Sequence, residues 1–161
     1  MGAKVAEETW VGRPLLRLED EALLRGEGRF IDDLGVAPGT LDAAILRSPH
    51  AHADLVSIET VAARNAPGVV AVLTGSDIKR LTASLVVGVK APVECWPIAV
   101  DRVRYAGEPV AVVVASNRYT ARDAADAIVI DIDPLPAVVD PELAMAGQPV
   151  AIHADFPNNL A

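Results

Sequence analysis

Residues 104–136, RYAGEPVAVVVASNRYTARDAADAIVIDIDPLP, constrain the fold of this chain more than any other stretch. Gly107-Glu108-Pro109 makes a turn, and the uninterrupted Val and Ala run that follows, Val110–Ala115, predicts a strand. Ser116 or Asn117 can accept a hydrogen bond from an early helical amide, so a helix is expected over Asn117–Ala127. Ile128 to Asp133 then alternates, with Ile128, Ile130 and Ile132 on one face and Val129, Asp131 and Asp133 on the other. This predicts a second strand with one solvated face, ended by the Pro134-Leu135-Pro136 turn. Strand, helix and strand form one βαβ-like unit.

The rest of the chain reads as short elements. Asp20 is expected to cap a short helix, EALLR, that Gly26 ends, and RFIDD (29–33) reads as a short strand or turn. Ala43–Arg47 is a strand candidate, and ADLVSIE (53–59) alternates Leu55 and Ser57 against Val56 and Ile58 as a half-buried strand. A short helix over TVAARNA, an apolar strand VVAVLT and a helical turn from Gly75-Ser76-Asp77 come next. Residues 80–97 lack a clean period and read as a loop with one strand, and PELAMA (141–146) as a short helix. Strands and short helices without regular alternation indicate an α+β fold. The expected organisation is an extended arm over 1–18, a domain over 19–147 and a linker or tail over 148–161.

Composition excludes several classes. Hydrophobic residues reach 52% while aromatics are 4%, so the core is built from small and β-branched side chains. A formal net charge of −8 repels phosphate backbones and anionic membrane surfaces, which argues against nucleic acid or a membrane as partner. The single cysteine, Cys95, allows no internal disulfide and no cysteine-built zinc or iron–sulfur site. No stretch approaches the ~20 apolar residues of a membrane span. MGAKVAEETW has no apolar signal region, and Ala6 stands where a myristoylation signal wants Ser or Thr. The expected setting is the cytoplasm.

Residues with chemical potential are sparse. His50 and His52 form the close histidine pair, in Ser48-Pro49-His50-Ala51-His52. In extended backbone such residues share a face and both imidazoles can reach one metal ion, but a site needs a third ligand and His153 is distant in sequence. A turn with one imidazole on backbone and the other in solvent accounts for the same pair. Gly26-Glu27-Gly28 lacks the third glycine of a dinucleotide loop, since Ile31 takes its place, and no strand precedes it. Asp131 and Asp133 read as a solvated face, and Asp32-Asp33 as turn residues. Cys95, followed by Trp96 and Pro97, reads as a packed thiol rather than a nucleophile. On these residues alone the chain is an α+β domain with no visible active site.

Three segments, RSPHAHA, APGVVAVLTGSDI and RYAGEPVAVVVA, stand in an order and spacing that resembles the N-terminal domain of the large, molybdenum-carrying subunit of the xanthine dehydrogenase, aldehyde oxidase and carbon monoxide dehydrogenase family. The resemblance extends over most of the chain. It departs where Ile132-Asp133 precedes the Pro-Leu-Pro turn in place of an aromatic residue, and over 80–97. It implies an α/β hammerhead fold and a parent complex with a molybdenum–pterin cofactor, iron–sulfur clusters and FAD. It also implies partners: the molybdopterin-binding remainder of the large subunit, and iron–sulfur and FAD subunits. The family's pterin-holding residues and acid/base glutamate lie beyond this domain, so no catalytic, cofactor-binding or metal-binding residue carries over, and Glu108 is not that glutamate. The implied role is structural, with Arg47, His50, His52, Tyr105, Gly107 and Glu108 as contacts to the molybdenum-binding part. A mean hydropathy of +0.31 accords with partner-covered surface. The alternatives are a stand-alone binding or assembly protein with this fold, and a metal-binding protein using His50 and His52.

Overall fold

A computed structural model describes residues 10–87, 93–146 and 150–160. The chain falls into two compact units, Met1–Pro38 and Gly39–Ala161. The first holds a helix, α1 (Asp20–Leu24), and a 3-10 turn at Ile31–Leu34. Asp20 does not cap α1. Glu19 takes the cap position without a side-chain bond, and Asp20 lies in the first turn, where Arg17 Nε reaches its carboxylate at 2.9 Å. Gly26 ends the helix at φ +73, a conformation that favours glycine. The segment 29–33 is neither strand nor open turn, because Phe30 N donates to Asp33 Oδ2 at 2.9 Å and winds it into the 3-10 form.

The second unit runs β1 (Asp42–Arg47), β2 (Ala53–Glu59), α2 (Val61–Arg64), β3 (Val69–Thr74), α3 (Gly75–Leu81), β4 (Leu85–Val87), β5 (Val93–Cys95), β6 (Arg102–Val103), β7 (Pro109–Ala115), α4 (Arg118–Asp126), β8 (Val129–Pro134) and α5 (Pro141–Met145). The sheets are ordered β1-β7-β3, β6-β2-β8 and β4-β5, and their pairings are antiparallel. The fold is α+β, as expected. Asn117 rather than Ser116 caps α4, its Oδ1 accepting from Tyr119 N at 3.1 Å and Thr120 N at 2.9 Å.

Three local expectations are corrected. The βαβ-like unit does not close within one sheet. Both edges of β7 are occupied, by β1 and β3, so β8 pairs with β2 in the second sheet. The alternation in β2 breaks at a bulge, where Leu55 pairs with Ile132 but Ser57 with Asp131. Val56 is the extra residue and is 62% exposed, while Leu55 and Ile58 both turn toward the core. Within 80–97, the described residues form two strands of an antiparallel pair, not one strand in a loop.

The two larger sheets differ in how their faces are used. One apolar cluster gathers Val72, Ala111 and Val113 of the first sheet under Ala124 and Ala125 of α4, with Ala63 of α2. A second gathers Ala53, Ala99, Val103 and Val110, with Leu55, Ile130 and Ile132 against it. Leu46 of β1 and Ile130 of β8 touch both clusters and join the sheets. The outer face of β6-β2-β8 is mostly polar, carrying Asp54, Ser57, Glu59, Asp131 and Asp133, with Val129 and the bulged Val56 exposed among them. No helix among the described residues is long and apolar enough to cross a membrane.

Candidate docking site

Two sequence-distant turns are clipped together at the end of β1. Ser48 N donates to Glu108 O at 2.9 Å, and Gly107 N donates to Ser48 O at 2.8 Å. Arg47 Nη1 adds a bond to Gly107 O at 2.9 Å. The second turn, Tyr105–Glu108, is closed by Glu108 N donating to Tyr105 O at 3.2 Å. Gly107 holds its third position at φ +87, where a side chain would strain the backbone. The first turn closes on itself, His50 N donating to Ser48 Oγ at 3.0 Å. Arg47, Ser48, Gly107 and Glu108 therefore form one unit.

The two buried titratable side chains of the turns, Glu108 and His52, are bonded within the chain. The Glu108 carboxylate, 8% exposed, accepts the Arg104 backbone N–H. His52 is 3% exposed and places Nδ1 2.9 Å from Pro136 O. A carbonyl only accepts, so Nδ1 carries the proton and donates. Leu135 N returns a bond to His52 O at 2.9 Å, so His52 fastens the Pro-Leu-Pro turn to the start of β2. His52 Nε2 has no partner among the described residues. His50 is half-buried, and Tyr105 is 56% exposed. Among the described residues, no group of three or more His, Cys, Asp or Glu side chains is placed to hold a metal ion.

Sequence reasoning missed Ser48, Arg104 and His153. A hollow of about 290 Å³ beside the second turn is lined by Cys95, Trp96, Arg104, Tyr105, Glu108 and His153, among others. Arg104 Nε donates to Ile152 O at 3.3 Å, and Asn159 closes the same segment by accepting from Ile152 N at 2.9 Å. Burial holds the His153 imidazole below the usual histidine range, and the Arg104 cation adds to this while Asp155 opposes it. The Arg in RYAGEP was the available signal, but nothing local shows that its guanidinium reaches residue 152. The arrangement positions backbone and presents a mixed surface.

The family described as "Aldehyde oxidase and xanthine dehydrogenase, a/b hammerhead domain" matches residues 25–136. The nicotine 6-hydroxylase large subunit of Paenarthrobacter nicotinovorans is 39% identical over 93% of this chain and 19% of its own length. The carbon monoxide dehydrogenase large chain of Afipia carboxidovorans is 37% identical over 89% of this chain and 18% of its own. Among solved structures, quinoline 2-oxidoreductase from Pseudomonas putida 86 superposes with a TM-score of 0.73 at 42% identity, over 83% of this chain and 17% of that one. The chain belongs to the aldehyde oxidase and xanthine dehydrogenase family, as its α/β hammerhead domain. It spans about a fifth of the length of the curated relatives it matches.

Proposed function

We propose that this chain is the structural hammerhead portion of a molybdenum hydroxylase large subunit and performs no catalysis by itself. The observation that carries the reading is a family match along nearly the whole chain to large subunits of which it spans about a fifth. Its partners are the molybdopterin-binding remainder of the large subunit, and chains carrying iron–sulfur clusters and FAD. The parent complex oxidises an aldehyde, a heterocycle or carbon monoxide. The turn residues do not fit a molybdenum–pterin group, because the Glu108 carboxylate and His52 Nδ1 are spent on Arg104 N and Pro136 O, and His52 Nε2, without a partner among the described residues, is a single donor and not a ligand set. Of the contacts expected from the sequence, Arg47, His50 and Tyr105 meet the remainder with their side chains. His52, Gly107 and Glu108 act by holding the turns in shape.

The test is native mass with molybdenum, iron and flavin content, on protein purified from its own source. A large complex containing all three is expected. A free chain of 161 residues without them overturns the reading. So does oxidation of an aldehyde, a purine or carbon monoxide by the isolated chain.

A further inference from the structure

The first sheet has a second face that the apolar clusters use only at its Val110 end, where that residue joins the second cluster. β1 places Ala43 opposite Val114 and Ile45 opposite Val112; on the other side of β7, β3 places Ala71 opposite Val114 and Leu73 opposite Val112. These six side chains are all apolar, and none belongs to or packs against either core cluster. The helices that cover this sheet, α4 and α2, contribute their buried alanines to the cluster on the opposite face. Ile45 is 42% exposed, and Val112, Val114, Ala71 and Leu73 are each half-buried. An antiparallel sheet with one solvated face alternates apolar and polar residues, as β8 does. β7 does not alternate, so its composition is that of a strand covered on both sides.

We infer that this face, Ala43, Ile45, Ala71, Leu73, Val112 and Val114, is the docking surface on which an apolar element of the remaining four-fifths of the large subunit sits. The inference rests on the reading under Proposed function. Two observations select that occupant. The relatives carry about four-fifths of their length outside the matched region, which supplies chain to cover the sheet. A second copy brings another net charge of −8 against the first, which opposes self-association. The sheet face, rather than the clipped turns, supplies the apolar centre of the contact, and Arg47 at the end of β1 borders it.

The experiment uses a hybrid large subunit in which these 161 residues replace the matching fifth of the nicotine 6-hydroxylase large subunit. Ile45→Lys and Leu73→Lys are introduced separately, with Val56→Lys, on the other sheet, as the control. Limited proteolysis at the hybrid junction reads docking. Cleavage at least tenfold faster in both face variants, with the control unchanged, is expected. Circular dichroism of the isolated chain checks that each variant folds; Ala43→Lys, a small exposed residue of the same face, replaces any that does not. Cleavage of the face variants at the unmodified rate overturns the docking surface and leaves the family role standing. Failure of the unmodified hybrid to accumulate as a soluble subunit overturns the role itself. If the isolated chain sediments as a dimer that Ile45→Lys dissociates, the occupant is a second copy and the inference is wrong.

Discussion

The two larger sheets of Gly39–Ala161 use the same strand chemistry differently. The β6-β2-β8 sheet turns isoleucines and Leu55 to the core and mostly carboxylates outward, with Val56 and Val129 exposed among them, and Arg102 crosses to Asp54. The β1-β7-β3 sheet is covered by helices on one side and carries valine, isoleucine and leucine on the other. Burying apolar area is worth about 25 cal/mol per Å², so an uncovered apolar face is stabilisation not yet collected. A sheet with carboxylates spread across its outer face is solvated there, even with two valines among them. One that is apolar on both faces needs a second layer.

The sharpest way to break this pairing of sheets is at their junction. Gly75 follows β3 and is buried against the segment entering β6; an added Cβ would lie 2.0 Å from Ala99 O and 2.6 Å from Val100 Cα. Backbone cannot give way as a flexible side chain does. Gly75→Ala is expected to cost about 3 kcal/mol or more by overpacking, read as a lowered urea midpoint. Val113 and Val114 sharpen the comparison of faces. Val113→Ala empties the fully buried side and should cost about 2 kcal/mol, whereas Val114→Ala on the half-covered side should cost under about 1 kcal/mol. Equal losses in the isolated chain would show that both faces are already packed.

The smallest effect belongs to the outer face of the second sheet. The Arg102 hydrogen bond, helped by charge attraction to Arg102, His52 and Arg104, holds the Asp54 carboxyl below its ordinary value against partial desolvation. A carboxyl depressed in the folded state stabilises fully above the unfolded pKa of about 3.9, and that stabilisation is lost as pH falls below it. Asp54→Asn should therefore flatten the fall in melting temperature below about pH 4 while leaving the first sheet intact. An unchanged acid profile in the variant would show that the exposed pair contributes nothing measurable, as many surface ion pairs do.

How much was legible in the sequence depends on the range of the physics involved. The β7 strand, a helix cap at Ser116 or Asn117 and the Ile128, Ile130 and Ile132 face follow from steric and hydrogen-bonding preferences within a few residues, and the structure keeps them, with Asn117 as the cap. The β2 alternation failed because a bulge depends on the partner strand, here the step from Ile132 to Asp131. Of the clipped-turn residues, Arg47, Gly107 and Glu108 were named through the family resemblance, while Ser48 was not. That Ser48 and Glu108 would share backbone bonds was not legible, since their separation in sequence leaves no local trace.

The sequence by itself determined that this chain forms an α+β domain of small apolar side chains with an acidic surface. It also determined family membership, through motifs whose order and spacing survive along the chain. Tertiary structure alone decided that β7 and β8 part into different sheets and that His52 is fastened to the Pro136 carbonyl. It also decided which face of the first sheet goes without a helix. Local composition fixes what a strand can bury, but which neighbour takes each edge and face is settled by the whole chain competing for the same hydrogen bonds and apolar area.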